Sequence, residues 1–153
     1  MTEKLRVNPY IRSMDEQFSL YEWFARQYGL QRKSMQILFW VKHYPEVTGN
    51  YITQKTLVQK TYSTKQVVNA TIKSWCQKGY IQLLENPTDK RHKLLQLTSD
   101  GQVWAEEIYQ RLSIMEEQAI AVFSKEEQDL LNKLTRKYTA TLKQEMEKVY
   151  DSI

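Results

Sequence analysis

The most constraining feature of this chain is the scarcity of residues that break helices. It holds four glycines (Gly29, Gly49, Gly79, Gly101) and three prolines (Pro9, Pro45, Pro87) in 153 residues. These seven positions cut it into long pieces without internal breakers, which a mostly helical protein requires. The length suits one compact domain or two small intimate ones.

Within those pieces the apolar spacing is helical. From Pro9 to Gly29, Tyr10, Met14, Phe18, Tyr21 and Phe24 recur on one face, with Leu20 and Trp23 as a second stripe. A second helix is predicted from about Arg32 to Tyr44, with Pro45 as its stop. Residues around "VTGN" read as a loop, and Thr53 reads as the cap of a short third helix over 53–61. Ser63 is the expected N-cap of a fourth helix, with Val68, Ile72 and Trp75 facing inward and Gly79 just past its end. Two short apolar segments flank the loop around Pro87 and predict a β-hairpin over about 80–97. Thr98 begins a long helix whose seam steps through Ile108, Leu112, Met115, Ala119 and Val122. "SKEE" at 124–127 matches a capping box and opens a last helix with Leu131, Leu134, Tyr138, Leu142, Met146 and Val149 on one side.

Charge is unevenly spread. Residues 51–93 hold Lys55, Lys60, Lys65, Lys73, Lys78, Lys90, Arg91 and Lys93 against Glu85 and Asp89 only. A basic block in a chain of otherwise balanced charge points to a polyanion. No run of 18 apolar residues predicts a membrane span, and "MTEKLRVNPY" lacks the apolar region of a secretory signal. The single cysteine, Cys76, allows no internal disulfide and fits a reducing cytoplasm. It is expected to be a packing residue.

A short helix, a tight "TYS" junction and a capped helix with a polar outward face have the layout of a helix-turn-helix. Double-stranded DNA is the polyanion such a unit reads. Gln66 and Asn69 match adenine bidentately, Lys65 matches guanine, and Val67 suits a thymine methyl. Ser63, Thr64 and Lys73 complete the expected contacts of this helix. The hairpin that follows is then a wing. Arg91 is its candidate minor-groove residue, and Asp89 is expected to orient the guanidinium through a bidentate pair. Lys90, His92 and Lys93 are expected to contact phosphates.

Lys78 and Gly79, then Asp89 and Arg91, then Leu95, Leu97, Thr98 and Gly101 together resemble the signature of the MarR family of bacterial winged-helix regulators. The resemblance implies a winged helix-turn-helix, mostly α with a small β-hairpin wing. It implies a DNA-binding lobe at 32–98 and dimerisation helices at 1–31 and 99–153. It also implies a homodimer on pseudo-palindromic DNA, acting as a transcriptional repressor that a small aromatic or anionic effector can release. The chain departs from the family's hydroperoxide-sensing branch in having no N-terminal reactive cysteine. Apolar faces on the first and last two helices exceed what one small lobe can cover, and so point to a dimer without the resemblance.

Arg12, Trp23, Trp40, His43, Tyr44 and Trp104 are the candidate effector-pocket residues, placed between the first, second and fifth helices. No catalytic pattern surrounds His43 or His92, no phosphate-binding or dinucleotide motif is present, and no metal or cofactor is expected. The alternative to a regulator is a winged-helix adaptor that works through protein contacts alone.

Overall fold

The structure, a computed structural model, describes residues 8–150. The element order is α1 (Pro9–Arg26), α2 (Arg32–Thr48), β1 (Ile52–Thr53), α3 (Gln54–Thr61), α4 (Lys65–Gln77), β2 (Ile81–Leu84), β3 (Leu94–Leu97), α5 (Ser99–Ile120) and α6 (Lys125–Glu147). The mostly helical expectation and the hairpin wing are both realised. The chain divides into two compact units, one running to Ile108 and the other from Tyr109.

The first unit is built on a small antiparallel sheet of order β1-β3-β2. The long pairing, Ile81 opposite Leu97 through Leu84 opposite Leu94, forms the wing stem. β1, which the sequence does not signal as a strand, adds Ile52 opposite Leu95. Two residues are too short for a periodicity to register. Ile52 forms a strand because its fully buried side chain joins Leu95, Leu57, Leu38, Ile72 and Val68 in the core. Val68, Ile72 and Trp75 of α4 are all buried, as their spacing predicts.

α1 starts at Asn8, whose Oδ1 accepts from the Tyr10 amide at 2.9 Å. A Glu22 carboxylate accepts from the Arg32 amide at 2.8 Å, so α1 places a negative charge at the N-terminus of α2. α2 does not stop before Pro45. It continues to Thr48 with the proline inside, and the Gly49 amide donates to the Pro45 carbonyl from a left-handed conformation (φ 77°). Proline removes one helical donor, but its φ is helical, and Val41 and Lys42 are buried one turn earlier. Packing of that turn holds the helix through the break.

The fourth helix is capped one residue later than expected. Thr64, not Ser63, is the N-cap of α4, and its Oγ1 accepts from the Val67 amide at 3.2 Å. The Ser63 hydroxyl instead meets Thr61 Oγ1 at 2.6 Å. Thr64→Ala is therefore expected to lower stability by about 1 kcal/mol, and Ser63→Ala by less. Urea denaturation of both variants checks the order, and a larger loss for Ser63→Ala would contradict it.

α5 carries Ala105 and Ile108 fully buried in the first unit. Thr98 Oγ1 donates to the Gly79 carbonyl at 2.6 Å and accepts from the Gly101 amide at 3.1 Å, tying the first turn of α5 to the wing base. The second unit holds the distal half of α5 and all of α6. α5 ends at Ile120, so Val122 lies in the connecting turn and is not part of the seam predicted for it. The capping box is present as expected: Ser124 Oγ accepts from the Glu127 amide, and Glu127 Oε1 accepts from the Ser124 amide. No described residue of α6 is buried.

Candidate nucleic-acid interface

α3 ends in a tight turn that sets the start of α4. Tyr62 adopts a left-handed conformation (φ 51°, ψ 44°), and the Ser63 amide donates to the Val58 carbonyl at 3.2 Å. Thr61 is buried and its hydroxyl donates to the Leu57 carbonyl at 2.6 Å. Lys33, on α2, donates from Nζ to the Thr61 carbonyl at 2.6 Å and to Gln36 at 3.0 Å. Burial, with Arg32 beside it, lowers the Lys33 amine below its ordinary value. Lys33 thus pins the turn from 28 residues away. Only a folded α2 against α3 reveals that role, and no local sequence signal marks it.

With the turn held, α4 presents Thr64, Lys65, Gln66, Val67, Asn69 and Lys73 to solvent, while Ser63 is half-buried at the junction. Val67 is 45% exposed, next to a Val68 that is fully buried. The side chains whose donors and acceptors match base edges, Lys65, Gln66 and Asn69, are all exposed. Cys76 is half-buried and burial raises its thiol above the ordinary value, which fits packing and opposes thiolate chemistry.

The wing tip is organised by two side chains. Asn86 is buried, and its Oδ1 accepts from the Thr88 amide at 3.2 Å and the Thr88 hydroxyl at 2.9 Å. Asp89 then divides its two oxygens. Oδ1 accepts from the Arg91 amide at 3.1 Å and from Arg91 Nε at 3.3 Å, while Oδ2 meets His92 Nδ1 at 2.9 Å. The expected bidentate fork between Asp89 and Arg91 is not formed, because the second carboxylate oxygen is taken by His92. The single Nε contact leaves the Arg91 side chain 86% exposed. Lys93 pairs with Glu85 at 2.6 Å across the stem, and Lys90 is exposed at the tip.

Hydrogen bonding from His92 and from the Arg91 backbone holds the Asp89 carboxyl down at about 2, against an ordinary 3.8. The value is depressed, so the tether is intact above the ordinary carboxylate range. It is lost only as pH falls through about 2. The Arg91 amide resonance is expected to shift with that midpoint in an NMR titration. A midpoint at the ordinary carboxylate value would mean that Asp89 does not hold the tip.

The six candidate pocket residues do not meet in one place. Trp40, His43 and Tyr44 line an open cavity of about 500 Å³ on α2, with Phe39 and with Lys60 of α3. Lys60 Nζ lies 5.9 Å from the Trp40 ring centre. Arg12 sits apart in a shallow depression with Pro9, Ser13 and Glu16 of its own helix. Trp23 is largely exposed on α1. Trp104 stacks on Tyr80 at 4.3 Å and meets Trp75 edge-on at 5.5 Å, so it is part of the wing base. Below the cavity, His43 Nδ1 meets Glu46 at 3.1 Å, and the buried Lys42 amine pairs with Glu46 at 3.2 Å and with Glu106 at 2.7 Å. Burial pulls that amine down, but hydrogen bonds to Glu106 and Glu46 outweigh it and raise it above its ordinary value.

Among the described residues no group of three or more His, Cys, Asp or Glu side chains is placed to hold a metal ion. Among them, too, no helix is long and apolar enough to cross a membrane.

The family model described as "MarR family" matches residues 28–92, from the end of α1 through the helix-turn-helix to the wing tip. A search of curated proteins by sequence finds no significant match. Several solved structures share the fold. S. aureus MepR in its DNA-binding conformation is 19% identical, with a TM-score of 0.71 over 87% of this chain and 96% of that one. A point mutant of E. coli MarR complexed with operator DNA is 17% identical, with a TM-score of 0.66 over 90% and 97%. PcaV from Streptomyces coelicolor, with its natural ligand, is 17% identical, with a TM-score of 0.64 over 86% and 89%. At these identities the likeness is one of fold. The sequence match covers the helix-turn-helix and wing whose geometry is described above, and the shared fold extends well beyond it: the protein has the winged-helix fold, and its residues 28–92 are similar to the MarR family.

Proposed function

We propose that the protein is a sequence-specific, double-stranded-DNA-binding transcriptional regulator, acting as a repressor. The observation that carries this reading is the pairing of two features in one compact unit. α4 is buried on one side and polar on the other, and a wing tip is organised around an exposed arginine. In this reading Lys65, Gln66, Val67 and Asn69 read bases, while Ser63, Thr64 and Lys73 meet the backbone. Arg91 reaches the minor groove, Asp89 orients it, and Lys90 makes the freest phosphate contact of the tip. His92 and Lys93 reach phosphate while keeping their acidic neighbours. Two structural neighbours, MepR and MarR, were captured with DNA, which supports the same partner here.

The regulator is proposed to be a homodimer. α6 exposes Leu131, Leu134 and Leu142, and α1 exposes Phe18, Leu20 and Trp23. Apolar rows left open on helices of this length are stabilised by a second copy. Residues 1–31 and 99–153, of which 1–7 and 151–153 lie outside the described residues, would supply that interface and 32–98 the DNA-binding lobe. An effector, aromatic or anionic, is proposed to occupy the cavity at Trp40, His43 and Tyr44. The ligand complex of PcaV is consistent with regulation of this kind.

Selection from a pool of random duplexes at fixed salt, with nonspecific competitor, tests the reading, since phosphate contacts make affinity steeply salt-dependent. Enrichment of an inverted repeat with half-sites about one helical turn, roughly 34–36 Å, apart is expected. A folded dimeric sample that enriches no sequence would overturn it in favour of an adaptor.

A further inference from the structure

Four residues of the described chain have a left-handed backbone: Gly29, Gly49, Gly79 and Tyr62. Three are glycines that close helices, where a Cβ carries a steric penalty. The fourth closes α3 in the same way, with its amide donating to the Val58 carbonyl, yet carries one of the largest side chains. Glycine would fit that turn better, so the fold does not explain the residue.

Neither does packing. Tyr62 is 63% exposed. Among the described residues its hydroxyl has no hydrogen bond and its ring no aromatic or cationic neighbour. Position is its distinguishing property. It lies two residues before the Thr64 cap of α4, in a turn held by the Lys33–Thr61 contact and the Thr61–Ser63 hydroxyl pair. A strained, outward-facing aromatic on a rigid turn is kept when something outside the chain uses it. A phenol offers a donor on a stiff arm with few rotamers to lose, which suits a phosphate oxygen.

We infer that Tyr62 is a DNA-backbone contact whose hydroxyl donates to a phosphate beside the N-terminus of α4, and so sets the register in which Lys65, Gln66 and Asn69 meet the bases. The inference rests on the DNA-binding reading above. Tyr62 is a positioning residue in it, because a phosphate contact carries no base information itself.

The test separates stability from affinity. Native protein, Tyr62→Gly, Tyr62→Phe and Arg91→Ala are compared by thermal unfolding and by titration of a fluorescein-labelled random-sequence duplex, about three helical turns long, at one salt concentration. Tyr62→Gly is expected to unfold at or above the native midpoint, because strain is relieved. Both Tyr62 variants are expected to bind the duplex roughly tenfold more weakly, the effect of one hydrogen bond to a charged group. A lower midpoint for Tyr62→Gly would show that the fold itself needs the side chain and would overturn the inference. Native affinity in Tyr62→Phe, with Arg91→Ala impaired, would overturn the hydroxyl contact and leave DNA binding standing. Native affinity in all three variants would remove the DNA-binding reading and this inference together.

Discussion

Gly101→Ala is expected to lower stability by about 3 kcal/mol or more, at the upper end of what overpacking does. An added Cβ would lie 2.0 Å from the Tyr80 carbonyl oxygen, 2.9 Å from its carbon and 3.2 Å from Leu97 Cδ2. The first two are backbone atoms, and the same oxygen accepts from the Thr98 amide at 3.0 Å. Relief requires α5 to move off the wing base, which would also part Trp104 from Tyr80 and Trp75. For a chain of this size the thermal midpoint should fall by roughly 6–12 °C, with loss of near-ultraviolet circular dichroism from the aromatic stack. Gln102→Ala, one residue on and exposed, is the control and should melt as the native protein does. An unchanged midpoint for Gly101→Ala would mean that α5 and the wing base do not constrain each other.

Arg91→Ala is the substitution with the largest expected effect on function. Its guanidinium is held at Nε by Asp89 and otherwise faces solvent, so removing it should leave stability unchanged. If the side chain enters a minor groove, loss of a charge-assisted contact should weaken duplex binding by roughly 10- to 100-fold. Asp89→Ala should weaken binding less. It removes the tether and the capping of the tip but spares the cation, and it adds flexibility to a side chain that must then be ordered on binding. Fluorescence anisotropy with one duplex at fixed salt reads both. Equal affinity of Arg91→Ala and native protein would take the wing out of the interface.

The helix-turn-helix and the wing are legible because their determinants are local. Gly79 ends α4 at a left-handed φ of 79°, and the Ser124–Glu127 box opens α6. Val68, Ile72 and Trp75 share a face because helical spacing puts them there. Local signals fail where two choices are nearly equal or where distant groups decide. Ser63 and Thr64 are both good caps, and the left-handed turn at Tyr62 with the Thr61–Ser63 pair gives the role to Thr64. Pro45 reads as a stop, yet the buried turn before it carries α2 onward to Gly49. Asp89 is the partner of Arg91 that the spacing indicates, but the competing His92 ring turns a fork into a single contact.

The candidate pocket shows the limit most clearly. Trp23, Trp40 and Trp104 are indistinguishable by composition, and each sits at a reasonable helical position. Tertiary packing sends Trp104 into the wing base, leaves Trp23 on the surface of α1, and lines the cavity with Trp40. By itself the sequence determined the helical class, the helix boundaries at Gly79 and Ser124, the wing and the buried face of α4, because caps, breakers and periodicity act within a few residues. Only the tertiary structure decided which tryptophan lines a cavity, that Ile52 makes a third strand, and that Lys33 pins the turn before α4. Those outcomes depend on which groups meet across tens of residues, and no local pattern encodes that.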